Sequence, residues 1–222
     1  MTISEYLQNQ LVVKQVSSHN HLLFKDKLGD TIDFQKFVDA EVPEFKNGAI
    51  DYLSPVLFNG HLQTCFTTVR KFDDIDVVNY KRYMMTYPDG GEGALDIIVP
   101  EFEPSTYIPP TQLAFQPPLE KNYSYGNDTD SLLKSDDDKP MLVALHGLTG
   151  GSHESYVRSI VSRLTSQHGF EACVLNSRGC CQSQITTPQL YNGGWTNDIN
   201  FVMNQLFQMY PNRSFYMIGF SL

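Results

Sequence analysis

Basic residues are scarce in this chain: 16 lysines and arginines stand against 25 aspartates and glutamates among 222 residues, a formal net charge of -9. With no basic stripe to offset phosphate charge, nucleic acid and anionic lipid are disfavoured as main partners, and a neutral or apolar small molecule fits better. Cysteine is also sparse. The four present, Cys65, Cys173, Cys180 and Cys181, follow neither a metal-ligand spacing nor a disulfide ladder, and an adjacent pair is poorly suited to bridging itself. They read as reduced structural thiols, which points to the cytoplasm rather than to secretion. Residues 1–25 lack the basic start and apolar run of a signal peptide, and no stretch reaches membrane-spanning length. What is present is a globular composition, 41% hydrophobic and 12% aromatic, able to bury a sizeable core.

Along the chain, residues 1–50 are mixed and polar, with a short amphipathic piece around Ile3 to Val13, and read as an N-terminal extension of a main domain spanning 51–222. Two β-rich runs, Val78 to Tyr87 and Ala94 to Val99, flank Asp89-Gly90-Gly91, a strong reversal signal, so an antiparallel hairpin is expected. From about 101 to 139 the composition turns to proline, asparagine, serine and aspartate, the signature of an irregular insertion. Met141-Leu142-Val143-Ala144-Leu145 is then a continuous apolar run, as expected of a strand buried on both faces. Tyr156, Val157, Ile160, Val161 and Leu164 mark one face of a helix, and Ala172 to Leu175 the next buried strand. Ile199, Val202, Met203, Leu206 and Phe207 mark a second helix, which closes before Pro211 and leads into the strand Phe215 to Ile218. Strand, helix, strand, helix, strand predicts an α/β fold in which right-handed crossovers build a parallel sheet flanked by helices.

The chemistry concentrates at two places. Gly219-Phe220-Ser221-Leu222 reads as the start of a G-x-S-x-G nucleophile elbow, a strained strand-to-helix turn that exposes a serine hydroxyl to a base arriving from elsewhere in the fold. Ser221 is therefore the candidate nucleophile. His146-Gly147-Leu148-Thr149-Gly150-Gly151 follows the first buried strand directly, and its small residues allow a loop to approach a reacting carbonyl. One backbone donor to a tetrahedral oxyanion is expected from Leu148 and the other from Leu222. The same loop could instead cradle a phosphate, although it lacks the Lys-Ser/Thr of a P-loop and the G-x-G-x-x-G spacing of a dinucleotide site; it could also simply turn the chain into a helix. His146 and His153 precede the nucleophile, whereas the base follows it in this chain order, so both are expected to be structural or pocket-lining. Asp198 is expected to sit in a helix cap region, and Arg178 to tie neighbouring loops together.

These strings resemble the α/β-hydrolase superfamily, and more narrowly the branch of fungal medium-chain fatty acid ethyl ester synthase/esterases, related monoacylglycerol lipases and bacterial esterases. The residues that carry the resemblance are Asn59 to Thr64, Asp89-Gly90-Gly91 with Ala94-Leu95-Asp96, His146 to Ser152, Asn176 with Arg178-Gly179-Cys180, and Gly219 to Leu222. The resemblance implies the N-terminal part of an α/β-hydrolase domain over 51–222, lacking the last strands, and an acyl-enzyme at Ser221. Oxyanion donors at Leu148 and Leu222 would assist it, with neither metal nor cofactor. The implied substrates are medium-chain acyl esters such as ethyl esters and monoacylglycerols, the acyl group passing to water or to an alcohol. By the same analogy, peripheral contact with lipid droplets or membranes is expected. Relatives continue past the elbow to supply the triad acid and histidine, so the chain is expected to be C-terminally truncated and inactive as it stands. The alternative is a non-catalytic hydrolase-like fragment that binds acyl ligands or a partner protein.

Overall fold

The computed structural model describes residues 10–70, 72–109, 122–127 and 130–221. The chain divides into two compact units, Met1–Arg70 and Lys71–Leu222. In the first, β1 (Gln10–Val12) pairs antiparallel with β4 (Ile50–Tyr52), and β2 (Leu23–Lys25) with β3 (Thr31–Asp33). Among the described residues its two α-helices have polar N-caps: the Asp33 carboxylate accepts the Gln35 and Lys36 amides ahead of α1 (Phe34–Glu41), and Asn59 Oδ1 accepts the Leu62 amide ahead of α2 (Gly60–Val69). The amphipathic piece expected around Ile3 to Val13 lies outside the described residues except for its end, which is strand β1. No helix among the described residues is long and apolar enough to cross a membrane.

The second unit is built on a six-stranded mixed sheet in the order β10 (Phe215–Gly219), β8 (Met141–Leu145), β9 (Glu171–Asn176), β6 (Glu92–Val99), β5 (Asn79–Thr86) and β7 (Tyr123–Tyr125). The expected hairpin is β5 (Asn79–Thr86) against β6 (Glu92–Val99), with Thr86 opposite Glu92 across the Asp-Gly-Gly reversal. β6 pairs antiparallel with β9 (Glu171–Asn176) and so joins the hairpin to the parallel part of the sheet. There β8 (Met141–Leu145) lies parallel to both β9 and β10 (Phe215–Gly219). Within the stretch of irregular composition, Tyr123–Tyr125 forms a short strand, β7, parallel to β5; residues 110–121 and 128–129 of that stretch lie outside the description.

The continuous apolar run of β8 is explained by what covers it. Met141 and Val143 point into one cluster, with Leu95, Ile97, Leu175, Val202 and Leu206. Leu142 and Ala144 point into another, with Tyr80, Val157, Val161 and Val174. Helix α3 (Ser155–Gln167) contributes Val157 and Val161 to the second cluster, and α4 (Asn197–Met209) contributes Val202 and Leu206 to the first. A helix thus lies on each face, and each fully buried aliphatic side chain contributes about 1.5–3 kcal/mol of transfer free energy. The sheet is the α/β arrangement expected from the order of elements, an antiparallel hairpin leading into parallel strands flanked by helices.

This topology also fixes where a ligand can sit. The chain leaves central β8 through α3 to β9 on one side, then returns through α4 to β10 on the other. The loops after β8 and β9 therefore lead to helices on opposite faces, and a crevice opens beyond the carboxyl ends of the parallel strands.

Candidate active site

That crevice holds the motifs. Gly219 lies opposite Leu145 at the end of the β10-β8 ladder, and the Phe220 amide extends the ladder by donating to the Leu145 carbonyl at 3.1 Å. The next residue, Ser221, turns sharply: its φ is 58°, in the left-handed region that a residue with a Cβ occupies only at a cost of order 1–3 kcal/mol. Its side chain is exposed and borders a cavity of about 170 Å³, together with His146, Tyr191, Trp195, Ile199 and Phe220.

The loop after β8 comes directly against this turn. A Cβ added to Gly147 would lie 3.1 Å from the Phe220 carbonyl oxygen and 3.3 Å from the Ser221 Cβ. Glycine is favoured there because the two backbones approach closely, and a side chain would push them apart by a few tenths of an ångström. The Gly147 amide donates to the Tyr156 hydroxyl at 3.1 Å, and the Tyr156 ring meets the Phe220 ring edge-on at a centroid separation of 4.9 Å. Tyr156, on the first turn of α3, thus touches both the loop and the serine turn. The sequence marks it only as part of an apolar helix face; the hydroxyl contact is tertiary and leaves no local signal. Leu148 sits in the turn that follows, with its side chain exposed, and among the described residues no acceptor takes its amide. Leu222 lies outside the described residues.

His146 is buried, with both ring nitrogens engaged. Nε2 accepts the Ser177 amide at 3.0 Å, which leaves Nδ1 to carry the proton and donate to the Gly147 carbonyl at 2.7 Å. Burial pushes its pKa below the ordinary histidine value, against the smaller opposing effect of the Gly147 carbonyl. A neutral imidazole fixed in this way positions the Gly147 loop and has no free nitrogen with which to take a serine proton. His153 lies farther along the loop, where its Nδ1 meets Cys181 Sγ at 3.3 Å. Arg178 spans the far wall: it donates to both carboxylate oxygens of Asp89 and to both of Asp198, whose Oδ1 also accepts Trp195 Nε1 at 2.9 Å. It therefore ties the hairpin turn to the start of α4. Among the described residues no group of three His, Cys, Asp or Glu side chains could hold a metal ion.

The alpha/beta hydrolase fold family matches residues 140–222. A monoacylglycerol lipase of Saccharomyces cerevisiae is 48% identical over 233 aligned residues, covering 100% of this chain and 52% of its own length. Medium-chain fatty acid ethyl ester synthase/esterase 2 of the same yeast is 32% identical over 208 residues, covering 86% of this chain and 46% of its own. The chain thus spans about half the length of these curated relatives. Among solved structures, an esterase of Pyrococcus furiosus superposes on 67% of this chain and 44% of its own, with a TM-score of 0.41 at 17% identity.

Proposed function

This chain belongs to the α/β-hydrolase family, and on that premise we propose that it carries the nucleophile and oxyanion loop of a serine-dependent carboxylic ester hydrolase. The observation that supports this reading is the left-handed turn at Ser221, at the end of a parallel strand and against the Gly147 loop. In the proposed reaction Ser221 Oγ attacks the ester carbonyl carbon, the carbonyl π electrons move to oxygen, and the amides of Leu148 and Leu222 donate to the resulting oxyanion. Collapse expels the alcohol and leaves an acyl-serine, which water then hydrolyses. Loss of one oxyanion donor typically costs about 3 kcal/mol of transition-state stabilisation. His146 is not the base, for the reason given above. The general base and its carboxylate partner are to be sought in the length of the relatives that this chain does not span.

The names of the yeast relatives suggest the substrate: a monoacylglycerol or a medium-chain acyl ester. An alcohol replacing water in the second step would give ester synthesis from the same acyl-serine. The direct test is to treat the complete gene product with a serine-directed fluorophosphonate and to map the adduct. Labelling of Ser221 that disappears in Ser221→Ala, with parallel loss of medium-chain monoacylglycerol hydrolysis, is expected. Labelling that persists in Ser221→Ala, or hydrolysis unaffected by the substitution, overturns the proposal. Adding ethanol to the assay and measuring ethyl ester partitions the acyl-serine between water and alcohol.

A further inference from the structure

We propose that Cys181 is a reactive thiolate site that takes up oxygen from small hydroperoxides, a chemistry separate from that of Ser221. The inference rests on a cluster of side chains outside the ester-handling crevice. Cys181 Sγ accepts from Arg82 Nη2 at 3.1 Å and meets His153 Nδ1 at 3.3 Å and Ser152 Oγ at 3.5 Å. The opposite ring nitrogen of His153, Nε2, lies 3.4 Å from Glu154 Oε1. The thiol and the imidazole are therefore within hydrogen-bonding reach, with a carboxylate at ion-pair distance behind the ring, an arrangement in which a thiol can be deprotonated and held.

The space around the sulfur supports reaction on one side only. A cavity of about 220 Å³ is lined by Arg82, Tyr123, His153, Cys181 and Gln182. On the other side, a Cβ placed on Gly151 would lie 2.5 Å from Cys181 Cβ, so the loop backbone packs directly against the cysteine. Any atom added to Sγ must enter the cavity. The chain also holds the residue in an unusual geometry, with φ of 48° at Cys181 and 66° at Gln182.

The charges facing the sulfur favour its ionised form. Burial pushes the thiol up, but the His153 hydrogen bond and the Arg82 guanidinium outweigh it, so the Cys181 pKa falls below the ordinary thiol value. Asp96, across the cluster, acts in the opposite sense; its carboxylate is occupied by two hydrogen bonds from Arg82, each of 2.7 Å. The phenols of Tyr80 and Tyr123 are both pushed up by burial and stay neutral. The neighbouring cysteines differ. The Cys173 thiol is fully buried and pushed up to about 12, and burial also raises the half-buried Cys180.

In the proposed step the thiolate attacks the terminal oxygen of a hydroperoxide. The S–O bond forms as the O–O bond breaks, and the departing alkoxide takes the proton of the His153 imidazolium. Sulfur is oxidised by two electrons to a sulfenic acid, and the hydroperoxide is reduced to an alcohol.

The test uses the complete protein with isotope-coded iodoacetamide between pH 5 and 9, fragment ions resolving the adjacent pair Cys180 and Cys181. At pH 7 Cys181 is expected to alkylate about tenfold faster than Cys180. Its titration midpoint should lie below the ordinary thiol value and move upward in His153→Gln. Brief treatment with tert-butyl hydroperoxide should block alkylation of Cys181 and yield a dimedone adduct there. Alkylation no faster than at Cys180, or the absence of a dimedone adduct at Cys181, overturns the proposal. Both readings come from the unsubstituted protein, so they decide even if a variant misfolds, and neither depends on ester hydrolysis.

Discussion

Arg178 holds Asp198 in a parallel two-bond grip, Nε to Oδ2 at 2.6 Å and Nη2 to Oδ1 at 2.8 Å. The same guanidinium grips Asp89 from its other edge at 2.7 and 2.9 Å, and lies 4.6 Å from the centre of the Tyr87 ring. One planar cation thereby joins the β5-β6 turn, the first turn of α4 and, through Asp198, the Trp195 indole at the wall of the cavity beside Ser221.

A lysine cannot reproduce four such bonds, because its ammonium is a point donor without a planar fork. Arg178→Lys is expected to destabilise the fold by about 3 kcal/mol. That is the low end of the range for breaking a buried pair, since Asp89 remains partly in water. Urea denaturation of the variant measures this, and a loss below 1 kcal/mol would show that the Arg178 fork is replaceable.

Gly147→Ala tests the close approach of the loop to the serine turn. The added Cβ meets a backbone carbonyl oxygen at 3.1 Å, so the loop must retreat by a few tenths of an ångström. Under the proposed ester hydrolysis, such a displacement beside Ser221 is expected to lower kcat/KM by about 10²-fold, while stability changes by about 1 kcal/mol or less. Equal loss of stability and activity would mean that the loop serves folding alone.

Much of this architecture is legible in the sequence because its signals are local. The apolar run Met141 to Leu145 announces burial on both faces, the Asp89-Gly90-Gly91 reversal announces the hairpin, and Gly219-Phe220-Ser221 marks the turn at the end of a strand. What is not legible depends on partners far away in the chain. Arg82 reads as one polar residue in a β-run, yet it is almost fully buried and meets Cys181, 99 residues later. Tyr123–Tyr125 is too short, and too closely set among turn formers, to stand out as a strand. The engagement of both His146 nitrogens requires the Ser177 amide, delivered by a different strand end.

His146 makes stability depend on pH in a definite direction. Its folded pKa is lowered from 6.5, so below that pH the unfolded chain binds a proton that the fold resists. More protons bound in the unfolded state means that stability falls as pH drops through 6.5, levelling off once the folded imidazole also titrates. His146→Gln keeps an acceptor for the Ser177 amide and removes the titration. It should flatten this part of the stability profile by up to one proton, a slope of about 1.4 kcal/mol per pH unit. Denaturant titrations between pH 5 and 8 measure it; an unchanged slope would place the titration elsewhere.

The buried ion pair of Arg82 and Asp96 allows the cost of one unpaired charge to be separated from the value of the pair. Both side chains are essentially excluded from water, and the Asp96 carboxylate also accepts Asn176 Nδ2 at 2.7 Å and the Ser152 hydroxyl. Asp96→Leu alone leaves a guanidinium buried without its counter-charge and is expected to cost about 3–5 kcal/mol. Adding Arg82→Met removes that charge. The remaining groups keep partial satisfaction, Asn176 through the Ala94 carbonyl at 3.2 Å and Ser152 through the Tyr123 hydroxyl at 2.9 Å. A double variant about as stable as the native pair would therefore recover about 3–5 kcal/mol relative to Asp96→Leu, and in a double-mutant cycle read from urea midpoints it should cost less than the sum of the two single substitutions. A double variant less stable than either single one would mean that the pair is worth more to the fold than apolar packing of the same volume. In that case the four-way network around Asp96 acts as one cooperative unit and not as a set of separable bonds.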